Sequence, residues 1–121
     1  MKALFCGDRF WYDLQFIRNV LFGLKAMHPD LEICEGEASG ADSLSRVAAA
    51  SLNIPVTKFP ARWDKFGKAA GPIRNRQMLD EFHPDEVHAF HDAIENSVGT
   101  KDMVAVARSR GIPVTIHVHH D

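Results

Sequence analysis

Five short apolar runs alternate with four segments of helical periodicity, and this order constrains the fold more than any other feature of the chain. The runs predict strands at residues 3–6, 31–35, 54–59, 86–90 and 113–118. Helices are predicted at residues 13–27, from the turn at 36–42 to residue 52, from Pro72 to about residue 83, and at 100–110. Such alternation with short connections predicts an α/β fold, a doubly wound, five-stranded and mainly parallel sheet with helices on both faces.

The composition fits one ordinary globular domain. The chain has 121 residues, of which 45% are hydrophobic and 25% charged, so a single domain over residues 1–121 is expected. A formal net charge of −2 argues against broad nucleic-acid binding, which usually needs a strongly basic face.

The sequence has no apolar segment of membrane-spanning length and no signal-peptide pattern, which predicts a cytoplasmic protein with no membrane partner. Cys6 and Cys34 lie in apolar strand runs and are predicted to be unpaired core residues.

Four connections follow predicted strands, and a doubly wound sheet brings such connections to one edge. They span residues 7–9, 36–42, 60–76 and 91–102. The glycine-rich, basic and hydroxyl-bearing features of the chain concentrate in these connections. We therefore expect a ligand site at the carboxyl edge of the sheet.

The third of these connections is strongly basic. Its cationic side chains, with Asp64 as the one acid among them, are Arg62, Lys65, Lys68, Arg74 and Arg76. Proline is favoured in the first helical position, so a helix starting at Pro72 would place two arginines in its first turn, where cations are unfavourable. A bound anion would explain them, and Gly67 and Gly71 would let backbone approach it. The alternative is a solvated basic face.

The other connections also carry candidates for ligand contact. After the first strand, Gly7 permits a tight turn and Arg9 suits a phosphate or carboxylate, although Arg9 could instead pair with Asp8. The small-residue loop 36–42 suits backbone contact with a phosphate or ribose, but it lacks the dinucleotide fingerprint, and Asp42 could simply cap a helix. At the start of the last helix, the pair Gly99–Thr100 could hold a phosphate or act only as a threonine cap.

No metal or cofactor is expected. The sequence contains neither a P-loop nor a zinc-binding spacing. The histidines in the terminal segment 117–121 form a cluster that we interpret as adventitious, and those around residues 83–91 are too scattered to form a ligand set.

In combination, these segments resemble a known family. The residues that carry the resemblance occur in order at 7–9, 36–42, 61–63, 67–78, 89–92 and 99–103. They are similar to the YspA-like, cpYpsA-related branch of the SLOG superfamily, found in bacteria and their phages. The most specific piece is Ala70-Gly71-Pro72-x-Arg74-Asn75-x-x-Met78. The resemblance implies a Rossmann-like fold that binds a nucleotide or a nucleotide-derived small molecule.

The relatives implied by this resemblance include the LOG enzymes, nucleoside-monophosphate N-glycosidases (phosphoribohydrolases). Their catalytic arginine stands four residues before a methionine, as Arg74 does here. Their Pro-Gly-Gly-x-Gly-Thr-x-x-Glu loop matches only at Gly99–Thr100, and Met103 occupies the glutamate position. Asp102 is one residue away, rotated by about 100° on a helix.

We therefore hypothesise a bound nucleotide whose phosphate contacts Arg74, Arg76 and the start of the last helix. Its ribose would lie on the loop 36–42, and its base would stack on Trp63. The ligand-binding candidates are Gly7, Asp8, Arg9, Gly36, Ser39, Gly40, Ala41, Trp63, Lys68, Gly71, Arg74, Asn75, Arg76, Gly99 and Thr100. The catalytic candidates, if the ligand is hydrolysed, are Arg74, Asp42 and Asp102.

Two other classes of function stay open from the sequence. The basic segment 62–76 favours nucleic-acid binding like that of the relative DprA, whereas the net charge opposes it. A non-catalytic sensor or interaction module is the other class. The LOG relatives are dimers, and the wide apolar face of the first helix at Phe16, Val20 and Phe22 favours a homodimer here.

Overall fold

The computed structural model describes residues 1–119, so His120 and Asp121 of the terminal histidine cluster lie outside the described chain. Its strands are β1 (Lys2–Gly7), β2 (Glu32–Glu35), β3 (Val56–Lys58), β4 (Glu86–Phe90) and β5 (Val114–His117). Its α-helices are α1 (Leu14–Met27), α2 (Ala41–Ser51), α3 (Trp63–Phe66), α4 (Ala70–Phe82) and α5 (Gly99–Ser109). Short 3₁₀ turns span Gly67–Ala69 and Ile94–Asn96.

The strands form one parallel sheet in the order β3-β2-β1-β4-β5. The chain first builds outward from β1 through β2 to β3, then returns to the other side of β1 with β4 and β5. The strand order therefore reverses between β1 and β4, which is where ligands bind in doubly wound sheets. This arrangement confirms the predicted α/β, Rossmann-like fold.

Helices cover both faces of the sheet, as predicted. On one face, buried side chains of α1 and α2 pack against those of β1 and β2: Ile17, Leu21, Ala48, Ala49, Phe5 and Ile33. On the other face, α4 and α5 pack against β1 and β4 through Met78, Leu79, Met103, Ala107, Leu4 and Val87. Each helix thus buries one apolar stripe, which stabilises the sheet from both sides. None of the helices within residues 1–119 is long and apolar enough to cross a membrane.

The first helix shows how local sequence sets an element. The Asp13 side chain accepts the Phe16 N–H at 3.0 Å and so caps the helix, as predicted. Phe16 and Val20 pack against the core of their own domain. Phe22 alone of the three apolar residues that favoured a homodimer is largely exposed, at 61%. Most of the wide apolar face of α1 therefore packs against the core, and the homodimer stays a prediction.

The basic connection differs from its prediction. Instead of an open loop before Pro72, the chain forms α3, a 3₁₀ turn and then α4, which starts at Ala70. Gly67 ends α3 with a left-handed φ of 56°, a conformation that glycine adopts without steric cost. Arg74 and Arg76 therefore lie in the second turn of α4, and the prediction that they crowd its first turn was wrong. Pro72 is still within the first turn, where an N–H has no helical partner.

Candidate functional site

A cavity of about 600 Å³ opens at the carboxyl ends of β1 and β4. Its lining includes Gly7 at the end of β1, His91 just after β4, and the first residues of α5, Gly99 and Thr100. We call it the switch-point cavity, because it lies where the strand order reverses. Its volume falls within the range of small-molecule sites, roughly 300–1,000 Å³. The predicted edge of the sheet therefore carries a hollow of ligand size.

Two glycines allow the loop after β1 to pack closely against its neighbours. A Cβ on Gly7 would lie 2.3 Å from the carbonyl oxygen of Phe90, the residue with which Gly7 pairs across the sheet. A Cβ on Gly40, whose φ is 71°, would lie 2.3 Å from the carbonyl oxygen of Asp8. That oxygen also accepts the Ala41 N–H at 2.9 Å. Both glycines thus serve close backbone packing, and only Gly7 lines the cavity.

Arg74 lines the switch-point cavity and is held from two sides. Its Nη1 donates to the Gly36 carbonyl oxygen at 2.6 Å, and its Nε donates to the Asn75 Oδ1 at 3.1 Å. A Cβ on Gly36 would lie 2.4 Å from Nη1, so glycine at that position makes room for the guanidinium group. No carboxylate of residues 1–119 forms a salt bridge with Arg74. Its positive charge is therefore held at the cavity without a salt bridge to an acid of the described residues.

Asp42 brings a buried carboxyl group to the same cavity. The residue is 5% exposed and lines the cavity. Its Oδ2 accepts the Ala38 N–H at 3.1 Å, whereas its Oδ1 has no hydrogen-bond partner. Burial raises the pKa of Asp42 to about 6, against the opposing effects of the Ala38 N–H and the Arg74 charge. The N-cap of α2 is Gly40, so Asp42 does not cap that helix.

Asn75 connects Arg74 to the start of α5. Its amide donates to the Gly99 carbonyl oxygen at 3.1 Å and to the Asp102 Oδ2 at 3.0 Å. The same Oδ2 accepts from Arg76 Nη1 at 3.2 Å. Arg76 is thus neutralised within the chain, and neither it nor Asp102 lines the cavity.

The first two turns of α5 present Gly99, Thr100 and Met103 to the cavity. The Thr100 N–H is already satisfied, because it donates to the Ser97 Oγ at 3.0 Å. The N-cap of α5 is Val98, so Thr100 lies inside the helix and does not cap it. Met103, at the position of the LOG glutamate, faces the cavity, and Asp102 is turned toward α4.

The family model described as YAcAr, the YspA, cpYpsA-related SLOG family, matches residues 1–66. The chain belongs to this SLOG family. The matched part runs from β1 through α3 and includes Gly7, Asp42 and the loops that hold them. Neither a curated protein nor a solved structure matches the chain significantly.

Not every predicted residue of this SLOG-family protein reaches the cavity. Gly7, Asp8, Arg9, Asp42, Arg74, Asn75, Gly99 and Thr100 line it. The predicted residues outside its lining are Gly36, Ser39, Gly40, Ala41, Trp63, Lys68, Gly71, Arg76 and Asp102. Trp63 lies over Gly71, where an added Cβ would be 3.3 Å from the indole Cη2. The Trp63 ring therefore belongs to the junction of α3 and α4.

The cavity is also lined by residues that the sequence analysis did not name as site candidates, among them His91, Phe10 and Val98. His91 is buried and accepts the Ala93 N–H on its Nδ1 at 2.9 Å, so the neutral imidazole carries its proton on Nε2. Phe10 and Val98 line the cavity and are exposed. The position of His91 directly after β4 could have indicated it, since residues at strand ends line such sites.

A histidine near the end of the described chain is hydrogen-bonded to the loop after β4. The His119 ring lies between two carboxylates, with Nδ1 2.8 Å from the Asp92 Oδ2 and Nε2 3.0 Å from the Asp13 Oδ2. It stacks on Trp11 at a centroid distance of 4.3 Å. The hydrogen bond to Asp92 raises the pKa of His119 above its usual value. Across residues 1–119, no three histidine, cysteine, aspartate or glutamate side chains are grouped to hold a metal ion.

Proposed function

We propose that this SLOG-family protein binds a phosphorylated, nucleotide-derived small molecule in the switch-point cavity. The observation that carries the proposal is that Arg74 and Asp42 line the same cavity. Arg74 is a cation held by the Gly36 carbonyl oxygen and forms no salt bridge among the described residues, and the Oδ1 of buried Asp42 has no hydrogen-bond partner. A guanidinium group binds phosphate oxygens, whereas a carboxylate oxygen accepts hydrogen bonds from hydroxyl groups. A sugar phosphate offers both partners at once. Membership of the SLOG family supports the same class of ligand.

The phosphate would lie between Arg74 and the first turn of α5. A helix N-terminus favours negative charge through its free N–H groups and its dipole. Asn75 fixes these two parts relative to each other, because it accepts from Arg74 and donates to the Gly99 carbonyl oxygen. Arg76 has no part in this site, since Asp102 already neutralises it.

Replacing Arg74 by glutamine tests the phosphate site. We expect Arg74→Gln to weaken the binding of ribose 5-phosphate and nucleoside monophosphates at least about tenfold, because a charged hydrogen bond to the ligand is lost. Isothermal titration calorimetry measures the dissociation constants. The matched control is Arg62→Gln, which removes an exposed arginine outside the cavity lining and should leave binding unchanged. Wild-type protein that binds none of these ligands, or equal dissociation constants for wild type and Arg74→Gln, would contradict the proposal.

Hydrolysis of the N-glycosidic bond is a second function, favoured by the position of Asp42 in the same cavity. In this reaction a water molecule attacks the anomeric carbon, the C–N bond breaks, and the base leaves with a proton. The ionised Asp42 carboxylate would stabilise the positive charge that develops on the sugar. Of the two carboxylates predicted to be catalytic, we infer this role for Asp42, because Asp102 lies outside the cavity lining.

The pH profile of base release distinguishes hydrolysis from binding alone. Since the pKa of Asp42 is raised to about 6, its ionised form increases as the pH rises through that value. We therefore expect release of free base from nucleoside monophosphates to increase between pH 5 and pH 7, as measured by chromatography. Unchanged substrate across this range would exclude hydrolysis of these compounds and leave the binding function intact.

A further inference from the structure

Two apolar side chains flank the switch-point cavity and are almost fully exposed. Phe10 is 80% exposed and Val98 is 85% exposed, yet both belong to the cavity lining. Phe10 follows β1, and Val98 directly precedes α5. Apolar surface left in water is unfavourable, and its position beside a polar cavity suggests a ligand group that covers it.

The loop that carries Phe10 is held in place by its backbone. The Phe10 N–H donates to the Asp8 Oδ1 at 2.9 Å, and the Trp11 N–H donates to the Asp8 carbonyl oxygen at 3.1 Å. Asp8 is itself fixed to the sheet, because its N–H donates to the Phe90 carbonyl oxygen at 2.9 Å. The exposed ring therefore projects from an ordered turn, and a ligand that stacks on it would not have to order the loop.

The cavity has buried polar groups in its interior and two apolar side chains at its entrance, where the polar Arg9 and Asn96 are also exposed. Asp42, Asn75 and Thr100 are 5%, 4% and 6% exposed, so these polar groups lie deep. Phe10 and Val98 lie at the solvent side. A nucleotide has a similar arrangement, with a hydroxylated, charged sugar phosphate at one end and a planar base with apolar faces at the other.

We propose that Phe10 and Val98 form the subsite for the base of the nucleotide, a step that rests on the proposed sugar-phosphate site at Arg74 and Asp42. All four bases have a planar face that can stack on an aromatic ring, so this subsite would add affinity for every nucleoside monophosphate. It takes the place of the predicted stacking on Trp63, whose ring packs over Gly71 outside the cavity lining.

The experiment compares ligands with and without a base. Wild type, Phe10→Ala and Tyr12→Ala are titrated calorimetrically with ribose 5-phosphate, AMP, GMP, CMP and UMP. We expect the wild-type protein to bind the nucleotides about tenfold more tightly than ribose 5-phosphate, which is within the effect of one base–aromatic stack. Phe10→Ala should remove this difference and leave the dissociation constant for ribose 5-phosphate unchanged. Tyr12→Ala is the matched control, since Tyr12 is 84% exposed and outside the cavity lining.

Each remaining outcome has a distinct meaning. Equal affinity of the wild type for ribose 5-phosphate and all four nucleotides would overturn the base subsite and leave the proposed sugar-phosphate site standing. The subsite would equally be overturned if Tyr12→Ala lost as much nucleotide affinity as Phe10→Ala. It would also be overturned if Phe10→Ala kept the full nucleotide affinity, which is the result expected if Phe10 and Val98 contact another protein instead. Absence of binding by all five ligands would overturn the proposed function and this inference together.

Discussion

Gly7→Ala should destabilise the protein by about 3 kcal/mol or more, because the added methyl group meets backbone that cannot move away cheaply. The new Cβ would lie 2.3 Å from the Phe90 carbonyl oxygen, 2.8 Å from the Phe90 amide nitrogen and 2.9 Å from the Ala41 Cβ. Gly7 and Phe90 are partners in the β1–β4 ladder. Relief of the clash would therefore separate the two central strands at the edge where the cavity opens.

Urea unfolding at neutral pH measures this effect, with Gly23→Ala as the matched control. Gly23 lies within α1, and a Cβ there would have no atom within 4 Å. Alanine at an exposed helix position is favoured over glycine, so Gly23→Ala should stabilise the protein by about 0.5–1 kcal/mol. The same chemical change thus has opposite expected signs at the two sites. A Gly7→Ala variant within about 1 kcal/mol of wild type would contradict the close approach of β1 and β4.

The elements that the sequence predicted best are those set by local chemistry. β4 occupies residues 86–90 as predicted, since an apolar run between Pro84 and a polar loop leaves little freedom in its limits. α1 follows from the Asp13 cap and the helical spacing of Ile17 and Leu21. The alternation of such elements was enough to predict the parallel sheet and the edge that carries the cavity.

What the sequence could not predict depends on contacts between distant segments. Arg74 and Arg76 are two residues apart and looked equivalent, yet only Arg76 meets Asp102, which α5 brings to it from 26 positions away. α3 has only four residues and shows no periodicity that could predict it. The close approach of Gly7 and Gly40 to the backbone of Phe90 and Asp8 could not be predicted either, because a glycine-rich loop has the same pattern whether its close neighbour is a ligand or backbone.

A second large effect is expected from Glu35, at the end of β2. This side chain is fully buried, and its Oε1 accepts the Glu37 N–H at 2.8 Å while its Oε2 has no partner. It thereby holds the turn whose Gly36 carbonyl oxygen accepts from Arg74. Burial raises the pKa of Glu35 from 4.5 to about 7, although Arg46 Nη1 lies 3.4 Å from Oε1.

The sign of the pH dependence follows from proton binding. Between about pH 4.5 and pH 7 the folded protein holds a proton on Glu35 that the unfolded chain has released. The contribution of Glu35 to the free energy of unfolding therefore falls as the pH rises through this window. Glutamine mimics the protonated form and does not ionise. We expect the stability of Glu35→Gln relative to wild type to be greater at pH 8 than at pH 5 by about 2–3 kcal/mol, at 1.36 kcal/mol per pKa unit.

Urea unfolding of wild type and variant at several pH values tests this, because groups that titrate in both proteins cancel in the difference. Glu81→Gln is the control, since Glu81 is exposed on α4 and its replacement should shift stability by a small and constant amount. Parallel stability curves for wild type and Glu35→Gln would show that Glu35 ionises at the same pH in the folded and unfolded chains. That result would contradict the raised pKa that we attribute to the burial of Glu35.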